Sequence, residues 1–204
     1  MKIISFEGPD GVGKSTQVKL LRQKLESEGK KVYSEHFPRY DDPIGELIGR
    51  CLNGLIKKEI NFETLQMLYA IDQTDFRHKL AELDEEGFDY VLLDRYDLST
   101  IVYYCSKMND TKYISLVSSW QNRIIKPDIT IVLLSENTIH DRCNYKKLDE
   151  FEKDRDLMKA VSRMYVEVPT LLKKYRPISF LSADVGIDNL SKNVLRILYQ
   201  NDLI

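Results

Sequence analysis

The sequence is poor in cysteine, has no long apolar run and carries almost no surplus of either charge. Its three cysteines, Cys51, Cys105 and Cys143, are an odd number at irregular spacing, which excludes a disulfide framework or a cysteine metal cage and fits reduced thiols. Lysine and arginine total 30 against 32 aspartates and glutamates, a net charge of -2, so the chain lacks the broad positive field that holds nucleic acid. No apolar stretch approaches the roughly 20 residues that span a bilayer. Met1 to Phe6 run straight into a functional motif and leave no room for a secretory leader, so the expectation is a cytoplasmic protein without a membrane or nucleic-acid partner. His36, His78 and His140 do not cluster, and no histidine is given a chemical role.

What is present is the material of a globular enzyme. With 204 residues, 43% apolar and 30% charged, the chain supports one buried core, and a single domain over 1–204 is expected. Apolar runs at 3–6, 32–36, 90–94, 129–134 and 178–181 predict strands, several of them continuous enough to be covered on both faces. Helical spacing predicts helices over 14–28, 42–52, 62–83, 151–175 and 187–199 and further helical segments over about 98–122, although Asp72 interrupts the apolar stripe of the third. Such alternation gives an α/β fold, a parallel sheet of about five strands with helices on both faces. The basic stretch around His140 to Lys147 marks a short lid at about 140–152.

Gly8-Pro9-Asp10-Gly11-Val12-Gly13-Lys14-Ser15 matches G-x-x-x-x-G-K-[ST] and lies between a predicted strand and a helix start, the context that the motif's physics requires. Gly8, Gly11 and Gly13 let the backbone turn its amides, Val12 among them, towards phosphate oxygens, and the helix N-terminus adds positive potential. Lys14 is expected at the β and γ phosphates, and the Ser15 hydroxyl on a bridging Mg²⁺. The motif names a nucleoside triphosphate and not a reaction. No Asn-Lys-x-Asp guanine reader accompanies it, which argues against a GTPase.

Asp94-Arg95 closes the 90–94 strand and delivers a carboxylate and a guanidinium beside that loop, whether as a phosphate-binding pair or as a plain ion pair at a strand end. Arg39, within Phe37-Pro38-Arg39-Tyr40, leaves another strand at the same edge. Two groups of cations at one edge meet the need of phosphate-to-phosphate transfer, in which two polyanions must be neutralised and aligned.

Taken together, Phe6 to Thr16, Phe37-Pro38-Arg39-Tyr40, Tyr69-Ala70-Ile71-Asp72-Gln73, Asp94 to Ser99 and Lys126-Pro127-Asp128 resemble the thymidylate kinase family over nearly the whole chain. The resemblance implies a P-loop NTPase fold, transfer of the γ-phosphoryl group of ATP to dTMP with Mg²⁺ as cofactor, and a homodimer. It implies that Lys14, Ser15 and Thr16 hold ATP and Mg²⁺, that Asp94 helps place the metal, and that Asp10 lies near the acceptor's sugar and phosphate. Arg95 would bridge donor and acceptor, and Arg39, with Phe37 beside it, would hold the acceptor phosphate. Ser99, Thr100 and Tyr103 would line base and sugar. Tyr69, which by spacing alone reads as core, would be the ring against thymine. Ala183, in Ser182-Ala183-Asp184, falls where the family packs adenine. Arg142, ahead of Lys146 and Lys147, is the lid cation expected over the γ phosphate. Where the family has an arginine that reads the thymine edge, this chain has Gln73. That exchange leaves open a kinase of other or several deoxynucleoside monophosphates, and the altered lid leaves open a nucleotide-binding regulator without transfer activity.

Overall fold

In the computed structural model, residues 1–56, 60–136 and 154–204 are described. The lid stretch, with His140, Arg142, Cys143, Lys146 and Lys147, lies outside them.

Five parallel strands form one sheet in the order β2-β3-β1-β4-β5: β1 (Lys2–Glu7), β2 (Val32–His36), β3 (Tyr90–Asp94), β4 (Ile129–Leu134) and β5 (Ile178–Ser182). Alternation along the strands explains the layering. Ile4, Phe6, Leu92, Ile131 and Leu133 face one side, against Leu21 and Leu25 of α1 (Lys14–Ser27) and Val194 and Leu198 of a closing helix, Ile187–Gln200. Ile3, Val91 and Leu93 face the other side with Leu80 and Leu83. Val132 and Ile178 pack there on α5 (Asp97–Met108) and the helix Arg155–Leu172. Burial of β1, β3 and β4 on both faces is why their sequences read as unbroken apolar runs.

One predicted helix is divided, and the helical segments expected over 98–122 are found as separate elements. The 62–83 stretch becomes α3 (Phe62–Asp75) and α4 (Arg77–Glu85), hinged at the fully buried Phe76. The division lets α3 turn Asp72 towards the turn after β2 while α4 sends Leu80 and Leu83 to the sheet. The 98–122 stretch ends at Asn109, whose left-handed backbone (φ 53°) stops α5, and a short 3-10 turn, Thr111–Tyr113, leads into α6 (Ile114–Trp120). Lys126-Pro127-Asp128 serves the scaffold: Lys126 Nζ pairs with Asp97 at 2.7 Å, and Asp128 Oδ2 accepts from the Ile3 amide at 2.7 Å.

Candidate functional site

The carboxyl ends of β1, β2 and β3 open onto one cavity of about 390 Å³, walled by the 8–15 loop, the turn after β2, α3 and α5. The loop leaves β1 through Gly8, whose φ of 142° favours glycine and whose missing Cβ would lie 2.2 Å from the Leu133 carbonyl oxygen. Lys14 is folded against this turn, donating to the carbonyls of Gly8 at 3.1 Å and Pro9 at 2.7 Å. Burial, and next the positive charge of Arg95, bring its pKa down to about 8, with Asp10, Asp94 and Glu7 pulling the other way. Val12 is core, while Ser15 and Thr16 are exposed at the start of α1.

Ser15 Oγ donates to Asp94 Oδ2, and His36 Nδ1 lies 3.4 Å from the same oxygen. Burial would raise the Asp94 pKa, but His36, Lys14 and Ser15 together hold it below the usual carboxylate value. Its second oxygen, Oδ1, is buried with no hydrogen-bond partner among the described residues. A hydroxyl, a charged carboxylate and an orphaned carboxylate oxygen suit a hard cation that keeps several waters and takes its other ligands from phosphate.

Arg95 is built into the wall. Its backbone is left-handed (φ 65°), a conformation costing a non-glycine residue about 1–3 kcal/mol and held here by the surroundings. Its amide donates to the Phe6 carbonyl at 2.9 Å. Nη2 donates to Asp10 Oδ1, and Nη1 reaches Ser99 Oγ and Tyr165 Oη at 3.3 Å each. Tyr103 Oη donates to Asp10 Oδ2 at 2.7 Å. Burial opposes the charge on Asp10, yet Arg95 and Lys14 hold its pKa far below the usual range. Behind them Glu7 accepts from the Tyr96 amide at 2.8 Å and from Ser99 Oγ at 2.5 Å.

Asp10, Phe37, Tyr69, Arg95, Ser99, Thr100 and Tyr103, all expected at the acceptor, line this cavity together. Arg39 and Gln73 do not. Arg39, expected at the acceptor phosphate, has a side chain 7% exposed and pairs with Asp72 at 2.8 Å, Asp75 at 2.9 Å and Asp42 at 3.1 Å. Asp72, which broke the apolar stripe of α3, is its partner. Gln73 is sealed beneath the cavity, donating to the Tyr96 carbonyl at 2.9 Å. Ala183 sits on a 3-10 turn after β5, packed against the core; its neighbour Asp184 accepts from Ser135 Oγ at 2.7 Å and ties the segment to the end of β4. Sequence reasoning missed His36, Tyr40, Leu52, Asn53 and Gln66 on the wall, as well as Glu7 and Tyr165 behind Arg95. The available signals were the places of Tyr40 within Phe37-Pro38-Arg39-Tyr40 and of Glu7 within Phe6 to Thr16.

The thymidylate kinase family model matches residues 6–179. A probable thymidylate kinase of Methanocaldococcus jannaschii is 33% identical over 198 residues, covering 96% of this chain and 94% of that protein. Another from Thermococcus kodakarensis is 30% identical over 206 residues, covering 96% of each. In fold, the chain is similar to the structure of thymidylate kinase from Candida albicans, with a TM-score of 0.83 and 21% identity over 99% of this chain and 92% of that one.

Proposed function

The chain belongs to the thymidylate kinase family, and on that premise we propose that it moves the γ-phosphoryl group of ATP onto dTMP, giving dTDP and ADP. The observation that carries the reading is Arg95: a guanidinium fixed at the seam between the 8–15 loop and the adjoining cavity, where in this reading donor and acceptor phosphates meet. A phosphate oxygen of dTMP attacks the γ phosphorus, the bond from that phosphorus to the β–γ bridging oxygen breaks, and ADP leaves. Little covalent chemistry falls to the protein. In this reading Lys14 exchanges its loop carbonyls for β and γ oxygens, and the loop amides cradle the chain. Arg95 spans donor and acceptor, and Asp10 with Tyr103 orients both that arginine and the sugar. Tyr69 stacks on the base, beside Thr100.

Ser15 and Asp94 would hold Mg²⁺, which would supply neutralisation of the triphosphate's charge. Ala183 borders the adenine, Arg142 closes from the lid at about 140–152, Thr16 assists at the phosphates, and Phe37 forms the floor under the acceptor. The unit is one domain over 1–204, acting as a cytoplasmic homodimer; among the described residues no helix is long and apolar enough to cross a membrane.

ADP release measured with dTMP, dUMP, dGMP, dCMP and dAMP tests the proposal, with dTMP expected to lead. Activity confined to purine acceptors would end it. A second reading, a kinase with a broader choice of deoxynucleoside monophosphates, is favoured by the withdrawal of Gln73 from the cavity, and comparable turnover on several pyrimidine acceptors would establish it.

A further inference from the structure

Two glutamines on α3 share a helix face seven residues apart and are treated differently. Gln73 Nε2 donates to the Tyr96 carbonyl and, at 3.0 Å, to Thr100 Oγ1. Its Oε1 accepts from Gln121 Nε2 at 3.1 Å, whose amide also donates to the Asp97 carbonyl at 2.9 Å. Both ends of Gln73 are therefore satisfied within the core, and it has neither exposure nor spare hydrogen bonds for a ligand.

Gln66 is just as deeply set, at 3% exposure, but it lines the cavity. Among the described residues its carboxamide has no hydrogen-bond partner. The other short polar side chains of the wall are occupied: Asp10 by Arg95 and Tyr103, Asn53 by the Gly49 carbonyl at 2.7 Å, Ser99 by Glu7 and Thr100 by Gln73. Its amide is not shut away from solvent but opens onto the cavity, where a ligand can take the place of water. Gln66 also precedes Tyr69 by three residues, so the two are neighbours on one helix face. A ring flanked by an unpaired amide presents a stacking surface and an edge reader together.

We propose that Gln66 is the residue that reads the edge of the acceptor base. A carboxamide offers one acceptor beside one donor, matching the N3–H and O4 of a thymine stacked on Tyr69. Turned over, the same amide matches the N3 and N4 amino group of cytosine, a freedom that a donor-only arginine lacks. The inference rests on the kinase reading and deepens it by naming the specificity residue.

The test compares wild type with Gln66→Met, measuring dTMP binding by calorimetry alongside steady-state transfer. We expect the dTMP Kd and KM to rise about five- to tenfold, with kcat and the KM for ATP unchanged. The thermal midpoint should hold or rise, since the amide has no partner to lose among the described residues. Inhibition by 2-deoxyribose 5-phosphate, which has no base, should be equal in both proteins, and a merely structural role would not preserve that equality. Gln66→Glu, which keeps the size but removes the donor, should weaken dTMP at least as much. A dTMP Kd within twofold of wild type in both variants overturns the inference and leaves the kinase reading intact, as does a lowered thermal midpoint in Gln66→Met. Wild type that binds dTMP without transferring phosphate overturns the kinase reading while the calorimetry still decides the role of Gln66. Wild type that neither binds nor phosphorylates dTMP overturns both.

Discussion

Arg39 and Arg95 follow neighbouring strands at one edge of the sheet, and the fold uses them in opposite ways. Arg95 sits on the cavity wall against one carboxylate, Asp10, and otherwise meets hydroxyls and a carbonyl. Arg39 is buried among Asp42, Asp72 and Asp75; burial works against the charge of both guanidiniums, and their acidic neighbours raise both pKa values, that of Arg95 the more. The proposed function gives the first a phosphate to meet, while the second is already held by three carboxylates. A guanidinium at a sheet edge is thus not enough to mark an anion site, since what counts is how many negative groups already hold it.

The strongest break of this comparison is Arg95→Met. Removing the cation proposed to bridge donor and acceptor should lower kcat about a thousandfold or more, some 4 kcal/mol of transition-state stabilisation. The fold should suffer less, because Asp10 keeps Tyr103 at 2.7 Å and Lys14 at 3.9 Å. Single-turnover rates beside thermal melts check both halves. A variant that melts early but turns over normally would make Arg95 a scaffold residue.

Arg39→Met should do the reverse. It strands Asp72, which is fully buried, and truncating one partner of such a pair costs about 3–5 kcal/mol of stability. Urea denaturation should report that loss while the KM for dTMP moves little. The opposite outcome, unchanged stability with dTMP affinity sharply reduced, would mean that Arg39 trades its carboxylates for the acceptor phosphate on binding, and the contrast between the arginines would fail.

Tyr69 stands between the two regions, lining the cavity while packing on Ile48, Leu52 and Leu65. Tyr69→Ala should weaken dTMP by about 1–3 kcal/mol, the worth of one stacked base. Unchanged dTMP affinity by calorimetry would return the ring to the core.

The strands and the phosphate loop were legible because their signals are local: a run of residues covered on both faces, or glycines at fixed offsets between strand and helix. Asp72 was visible as an interruption, but its meaning was not, since Arg39 lies 33 residues away. The hinge at Phe76 was hidden because an apolar residue there continues the helical stripe it in fact ends. Gln66 and Gln73 are the same residue type on the same face, and only Tyr96, Thr100 and Gln121, brought in from other elements, tell them apart. Tyr165 arrives from a helix distant in sequence with no motif around it.

The smallest expected effect isolates burial from distance. Arg22 and Glu26 on α1 pair at 2.8 Å, the same separation as Arg39 and Asp72, yet with side chains 45% and 42% exposed instead of 7% and 0%. In water the Coulomb gain is small and both side chains lose rotamer freedom to make the contact. Arg22 Nη1 also donates to Ser34 Oγ at 3.0 Å, a bond that solvent replaces readily. Arg22→Ala should therefore shift stability by only about 0.3–0.5 kcal/mol, shrinking further in high salt. If the urea midpoint instead fell as far as in Arg39→Met, burial would not be what separates the arginines, and the weight given to the Asp72 cluster would have to move to contact distance alone.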